Sequence, residues 1–577
     1  MDTQLQETEV LVIGGGLAGC WAAIKAASLG KKVTLVDKAK VARSGASTFI
    51  NQILAPTPPG ELSAWKKELV ERGEYLNDQE WVEVVLKEEK DRIQDLIDWG
   101  VPFERTTTGE LFVKRGRGHG VSGVVLCNGH TLMDIMRKKA LKCGVTLVER
   151  TVITGLLTSD GKLPTGGFVC GAVGFHARTG EPVIFKAGAV VITSGQIGSK
   201  LRCHFVNNLS GDGVAMALRA GAELINMEFC TAGNISYFER SFHSGSQALL
   251  VGMGAKFINK NGERFMLRYD PEMAEKSKLS TLVQAFANEA LQNRGPCYWD
   301  MTGFSEEDIA MVRRLLPTTL RPYDELNIDI RKKPVECSPI VQICSSCGEG
   351  GIRIDISCRS SVEGLYAAGA AARNPVHGVY SVGGVNLAFC NVAGYRAGET
   401  AARSVAKNPD KEIILNQAKV TLKNNFTPLG RKEGFTPDDV VKEFQNIVIP
   451  AKVSILKNES RINETLNKLK VLKETKLAAM AAKDIHELVK ALEAQNLVEI
   501  AEIVFLAALQ RKESRAWHFR EEYPDRNDKE WLKWVIAQKG NDGKTKFRIE
   551  NIPVENYEFR IANPGSSPHP LTLGNKK

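Results

Sequence analysis

The sequence predicts an α/β protein, and three observations carry that prediction. A short β-branched run, Glu9 to Ile13, passes directly into the glycine-rich stretch Gly14-Gly15-Gly16-Leu17-Ala18-Gly19, an Ala-rich helical segment follows, and a second β-branched run ends at Asp37. Glycine is enriched, with 52 in 577 residues, above a background of about 7%. Hydrophobic residues make up 43% and charged residues 25%, the balance of a folded chain rather than a disordered one. At roughly 100–200 residues per domain, the length implies about three to five structural units.

Each part of the first unit has a physical reason. Gly14 allows the tight turn out of the first strand, Gly16 lets backbone approach a pyrophosphate, and Gly19 permits close packing of helix on strand, so that phosphates rest on the helix N-terminus. Asp37 stands 18 residues after Gly19, near the spacing of about 20 at which a carboxylate reaches the adenosine ribose. A β-α-β unit of this kind binds a dinucleotide. The loop that follows, Ala42-Arg43-Ser44-Gly45-Ala46-Ser47, is made of small residues and hydroxyls suited to lying along the rest of an extended FAD. Further on, Leu466 to Leu509 carries apolar residues at helical spacing with charges between them, as packed antiparallel helices require. The alternation in Lys544 to Glu550 and Pro553 to Ile561 predicts two strands near the C-terminus.

Composition narrows the partners. Lys and Arg number 76 against 67 Asp and Glu, a net charge of +9, and no basic run has interleaved aromatics, so nucleic acid is not expected. Met1 to Val10 lacks the basic and apolar regions of a secretory signal. The longest apolar stretches, such as Ile500 to Leu509, fall short of the roughly 20 residues of a membrane helix. A cytoplasmic location, at most peripheral to a membrane complex, is the expectation. Twelve cysteines then read mainly as reduced, buried thiols.

With the Ser44 loop in place, the chain resembles the fumarate reductase and succinate dehydrogenase flavoprotein superfamily, which includes L-aspartate oxidase and the α subunit of adenylylsulfate reductase. The resemblance runs through Val10 to Asp37, Ala189 to Gly195, Gly211-Asp212-Gly213, Gly262 to Met266, Gly350 to Asp355, Gly364 to Gly369 and Val382 to Leu387, in the family's order. The C-terminal third, with Arg511 to Arg515 and Arg520 to Pro524, is slightly closer to the adenylylsulfate reductase branch. What this implies is a Rossmann-like FAD-binding domain over residues 1–233 and 348–410, interrupted by an α+β capping domain at 234–347. A helical domain at 411–535 and a tail at 536–577 follow. The residues implied to hold FAD are Gly14, Gly16, Leu17, Ala18, Gly19, Asp37 and Lys38 at the nucleotide end and Ser44, Gly45, Ala46 and Ser47 in the loop. Val152, Thr193, Ser194, Gly195 and Asp212 are implied from the later strands, and Gly369, Ser381, Asn386 and Leu387 from the last loop. Gly45 stands where covalent members carry the flavin-linking His, so noncovalent FAD is expected. Ala370 replaces the family's Glu.

The substrate side departs from the pattern. The Arg-Asp pair whose Arg donates a proton in the family falls on Leu279-Ser280, the His-Pro-Thr motif on Cys230-Thr231-Ala232, and the Thr-Glu of the cap on Leu250-Val251. The substrate His falls near Ser346 and the clamp Arg on Ser381. Five such losses argue against a dicarboxylate such as fumarate or succinate. An arginine for the phosphate of adenylylsulfate has no counterpart in Leu279 to Asn293, although Asn51 matches that branch. His377 keeps its place, either as a flavin contact, a proton donor or a structural residue. Cys344 and Cys347, with Cys337 and Cys358 nearby in sequence, are readable as a redox dithiol, as metal or cluster ligands, or as packing. His486 reads as a structural residue of its helix.

His377, Asn51, Cys344 and Cys347 are thus the candidate catalytic residues, and no metal site is expected. The expected activity is that of an FAD-dependent oxidoreductase moving electrons between flavin and a small anionic or sulfur-containing substrate. Its expected redox partner is an iron-sulfur or ferredoxin-like protein in a hetero-oligomer, steered by the basic surface. The alternatives are a non-catalytic electron-transfer flavoprotein within a larger complex, a fumarate, enoate or adenylylsulfate reductase, and, less favoured, an oxidase using oxygen directly.

Overall fold

The structure, a computed structural model, describes residues 5–116, 118–201, 206–237, 247–343, 349–379, 382–404 and 409–574. Its centre is a seven-stranded sheet. The strands Thr146–Val148, Val33–Val36, Leu5–Ile13 and Pro182–Ile192 lie side by side and parallel, Val10 facing Val33 on one side and Ala189 on the other. Val10, Leu11 and Val12 are fully buried, as a strand covered on both faces must be, which is why the sequence shows an unbroken apolar run there and not an alternation. Pro182–Ile192 then serves two further neighbours. Its first half pairs antiparallel with Val169–His176, and its last residues pair parallel with Leu365–Ala367, so the chain returns to the sheet beside the first turn after a long excursion.

That excursion is the capping unit. It leaves through the strand Thr231–Tyr237 and returns through Val335–Ile343, which pair antiparallel from Thr231↔Ile343 to Tyr237↔Cys337, and Cys297–Asp300 and Lys256–Asn259 complete a four-stranded sheet. The mixture of one antiparallel sheet and the helix Leu279–Leu291 makes it α+β. The helices Pro437–Val448, Glu459–Leu472 and Ile485–Gln510 pack together in the C-terminal third. The longest buries Leu488, Leu497, Ile500 and Val504, and its Asp484 N-cap accepts the Glu487 amide at 2.8 Å. His486 is exposed on its first turn. Among the described residues no helix is long and apolar enough to cross a membrane.

Two expectations near the C-terminus are corrected. Pro553 to Ile561 is not a strand but holds a short 3-10 turn, Val554–Asn556. The partner of the strand Thr545–Asn551 is Lys533–Lys539, which crosses the boundary expected at 535/536 and also pairs with Leu224–Ile225 of the FAD-binding part. The reason is burial. Trp534, Val535, Ile536 and Ala537 are all buried, so the strand lacks the alternation that marks its exposed neighbour, and a short continuous apolar run cannot be told from helix by period alone.

A buried ionic network fastens the parts together. Arg511 bonds Glu228 at 2.7 Å and Glu513 at 2.8 Å, and Arg515 bonds Glu513 at 2.7 Å and Asp528 at 2.9 Å. Glu74 meets Lys278 of the capping unit at 2.5 Å. Burial opposes the charge on Glu74, but Lys278, Arg526 and Arg515 outweigh it and hold the carboxyl down at about 2.

Candidate functional site

The first turn is shaped by backbone crowding. Gly14 has φ +114°, and a Cβ there would lie 2.4 Å from the Thr193 carbonyl oxygen; a Cβ at Gly19 would lie 1.9 Å from the Gly14 oxygen. Neither position tolerates a side chain, because strand, turn and helix are pressed together where the chain reverses. The Gly15 amide donates to Asp37 Oδ2 at 2.8 Å, and the Ala39 amide to Asp37 Oδ1 at 2.7 Å. The carboxylate is therefore aimed, with lone pairs to spare for another donor. The helix Leu17–Ser28 opens at Gly16 without a side-chain cap or an acidic residue in its first turn, leaving its positive end for an anion. Only the Leu17 amide is engaged, donating to Ser47 Oγ at 3.1 Å.

One cleft runs from this turn. Gly14, Gly16, Leu17, Ala18, Asp37 and Lys38 line its nucleotide end, and Ser44, Gly45, Ala46, Ser47 and Asn51 line the loop side. Val152, Thr193, Ser194, Gly195 and Asp212 come from the later strands, and Gly369, Asn386 and Leu387 from the closing segment. Gly19 lies behind the wall. His377 is buried but does not line the cleft. Cys344, Cys347 and Ser381 lie outside the described residues. The cleft also takes in Gln52, Met216 and Cys390, for which the sequence offers no motif. Cys390 is marked only by its position one and a half turns into the helix that starts at Val385.

Some implied contacts are spent within the protein. Thr193 Oγ1 donates to the Ile13 oxygen at 3.1 Å and the Gly14 oxygen at 2.8 Å, tying the late strand to the first turn. Lys38 is clamped by Asp212 at 2.8 Å and Glu493 at 2.7 Å. Burial works against its charge, but the two carboxylates prevail and keep it protonated well above the ordinary lysine range, while Lys38 in turn holds Asp212 below the usual carboxylate range against burial. Lys38 and Asp212 thus offer a neutral pair to the cleft rather than two charges.

Three buried polar atoms on the cleft wall have no partner among the described residues: Asn51 Nδ2, Ser194 Oγ and Asn386 Oδ1. Leaving such groups unpaired costs about 1–3 kcal/mol each, so the wall is built for a ligand carrying both donors and acceptors. With the glycine cradle, the uncapped helix end and the aimed Asp37 carboxylate, these residues fit an extended dinucleotide with a polar ring system. Ala370 lines the cleft, and the polar residue nearest to it in sequence among those lining the cleft is Asn386.

The capping side is apolar where the family is charged. Leu250, Val251 and Leu279 are buried. Cys230 Sγ lies against Gly350, 2.7 Å from where its Cβ would stand, and burial, with Glu349 and Glu228, pushes the thiol well above its ordinary value. Cys337 is buried in the capping sheet opposite Cys297, while Cys358 donates to the Ala393 oxygen at 3.3 Å on the FAD-binding side. Burial raises both thiols. Among the described residues no group of three or more His, Cys, Asp or Glu is placed to hold a metal ion.

Two buried cations carry no signal in the sequence. Arg373 donates to the Leu76 oxygen at 2.6 Å and stands over the Trp534 ring, and burial lowers it to about 10. Lys457 has no exposed surface and no carboxylate within ion-pair distance among the described residues. Neither belongs to a motif, since what sets them apart is burial.

Fold and cleft together define an FAD-dependent oxidoreductase with a capping domain and a helical domain. The chain belongs to the fumarate reductase and succinate dehydrogenase flavoprotein family. Residues 9–387 match the FAD binding domain family and residues 442–565 the fumarate reductase flavoprotein C-terminal family. It is 27% identical over 564 residues to a subunit of the fumarate reductase (CoM/CoB) of Methanothermobacter marburgensis, covering 93% of this chain and 98% of that protein. In fold it is similar to an E. coli quinol fumarate reductase, with a TM-score of 0.87 at 23% identity over the whole of both chains. Adenylylsulfate reductase from Archaeoglobus fulgidus gives 0.79 at 21% identity over 96% of this chain and 98% of that one.

Proposed function

We propose that this chain is the catalytic flavoprotein of an oxidoreductase that moves electrons between noncovalently held FAD and a small anionic or sulfur-containing substrate, with an iron-sulfur protein as redox partner. The observation that carries the reading is a contrast: a cleft equipped for FAD, and a capping unit in which Leu250, Val251 and Leu279 are buried and apolar. When bound, FAD supplies two-electron redox chemistry. The chain's own residues bind and orient it. Asp37 would hold the ribose hydroxyls, the first turn of Leu17–Ser28 the pyrophosphate, and Asn51, Ser194 and Asn386 the polar edge of the ring. Gly45 brings no nucleophile to the ring, in keeping with a noncovalent cofactor. His377, Asn51, Cys344 and Cys347 remain the candidates for substrate chemistry, and the net charge of +9 favours an acidic partner.

The test uses the FAD-loaded chain, reduced and then offered enoates, sulfur compounds and disulfides in turn. Reoxidation of the flavin band by one class names the substrate class; no reoxidation by any of them refutes the catalytic reading. Acid precipitation should leave the flavin in the supernatant, and flavin retained in the pellet refutes noncovalent binding.

A further inference from the structure

The two strands that carry the chain into and out of the capping unit meet at Thr231 and Ile343. Any movement of the cap relative to the FAD-binding part must pass through this root. The third partner at the root is the segment Arg515–Arg520, which turns sharply, Arg515 and His518 exchanging backbone bonds and Ala516 sitting at φ +46°, a conformation a residue with a Cβ adopts only when its surroundings hold it there. They do: the Ala516 oxygen accepts from Gln284 Nε2 of the capping helix at 2.9 Å and pairs with His569 Nε2 at 3.1 Å.

Lys457 closes this junction. Its Nζ bonds Thr231 Oγ1 at 2.8 Å, the Ser454 oxygen at 2.9 Å and the Trp517 oxygen at 3.3 Å, and its backbone pairs with the Phe519 oxygen and the Glu521 amide. One side chain thus joins the cap, the helical region and the Arg515–Arg520 segment. The partner set suits either protonation state. A neutral amine donates twice, to the two carbonyls, and accepts the Thr231 hydroxyl proton; an ammonium donates three times and turns that hydroxyl around.

We propose that Lys457 is a positioning residue whose proton sets how firmly the root of the cap is held. The neutral amine keeps the three-way junction shut. The ammonium, buried with no carboxylate in ion-pair distance among the described residues and with Arg520 acting on it, drives the junction to open so that the charge can hydrate. Burial first, and Arg520 second, lower Lys457 to about 7. Of the other groups around it, Arg520 is paired with Glu522 at 3.2 Å, burial carries His518 well below its ordinary value, and His569 falls to about 4. From the cap, Thr231 and Gln284 face the junction uncharged, and Lys278, bonded to Glu74, acts on His569 beside it, with burial lowering that lysine from its ordinary value. A lysine lowered in the folded state makes the fold bind fewer protons than the unfolded chain above pH 7, so the junction gains strength as pH rises through that value and loses it as pH falls.

Hydrogen exchange of the full chain, following peptides that cover 231–237 and 335–343 and corrected for intrinsic rates, tests this. Protection of both strands should rise about tenfold between pH 6 and pH 8. Lys457→Met, uncharged throughout, should show no change in protection between pH 6 and pH 8, and Lys457→Arg, charged throughout, should hold the pH 6 level at both. The Arg variant keeps the test open if the Met variant does not fold. Protection that follows pH equally in wild type and in Lys457→Arg, or that does not change between pH 6 and 8 in wild type, overturns the proposal.

Discussion

At the Gly14 end of the cleft, glycines and one carboxylate within a single β-α-β unit shape the backbone around a ligand, and the groups that matter are amides and a helix end. At the root of the cap, Lys457, Thr231, Trp517 and Glu74 come from four distant stretches, and the groups that matter are buried charges. The first arrangement is rigid because sterics leave no alternative. The second is poised, since its stability depends on protonation and on partners from three domains. A flavoenzyme needs both: a cofactor that stays put and a cover over the substrate side that responds.

Steric crowding makes the nucleotide end the easier one to break. Gly19→Val places a branched side chain where the Gly14 oxygen already stands 1.9 Å from a Cβ, and the purified variant should carry no flavin absorbance; stoichiometric FAD there would show that the turn is not the site. At the root, Glu74→Gln leaves Lys278 without its carboxylate and takes one counter-charge from Arg515 and Arg526, which keep Asp528. It should cost about 3 kcal/mol at pH 7, the worth of a carboxyl moved from 4.5 to about 2. Because Glu74 is lowered in the folded state, its contribution is present above pH 4.5 and is lost as pH falls towards 2, so urea midpoints of wild type and variant should converge in that window. A constant gap would place the effect in packing instead.

A milder loss is expected from Asp37→Ala. Removing the carboxylate that orients Gly15 and would meet the ribose costs roughly 1.5–3 kcal/mol of charged hydrogen bonding, about a ten- to hundredfold drop in FAD affinity, measurable by flavin fluorescence titration. Smallest is Ser47→Ala, which deletes one acceptor for the Leu17 amide. A cap of this kind is worth about 1 kcal/mol, so FAD affinity should fall less than tenfold, and an effect equal to that of Asp37→Ala would mean that Ser47 binds the cofactor directly.

How much of this is legible in the sequence follows the same division. Glu9 to Asp37 can be read as strand, turn, helix and acid because each role depends on neighbours a few residues away, and the family motifs carry the rest of the FAD-binding part. Lys533–Lys539 escapes at its boundary because a strand buried between two others loses its alternation. Thr193 and Lys38 read as cofactor contacts, yet the structure turns the Thr193 hydroxyl into the Gly14 turn and closes Lys38 in ion pairs with Asp212 and Glu493. Nothing in either local sequence shows where a flexible side chain will find its partner.

The sequence by itself determined that the chain folds around a dinucleotide through local sterics, since the positions of glycines, β-branched residues and one acid suffice to bend the backbone into that shape. Only the tertiary structure decided which charges are buried and with whom. Lys457 is an ordinary lysine in a short segment between two helices until folding brings Thr231, from 226 residues away, to its amine and buries it with no carboxylate in ion-pair distance among the described residues, because desolvation belongs to the packed whole and not to the residue.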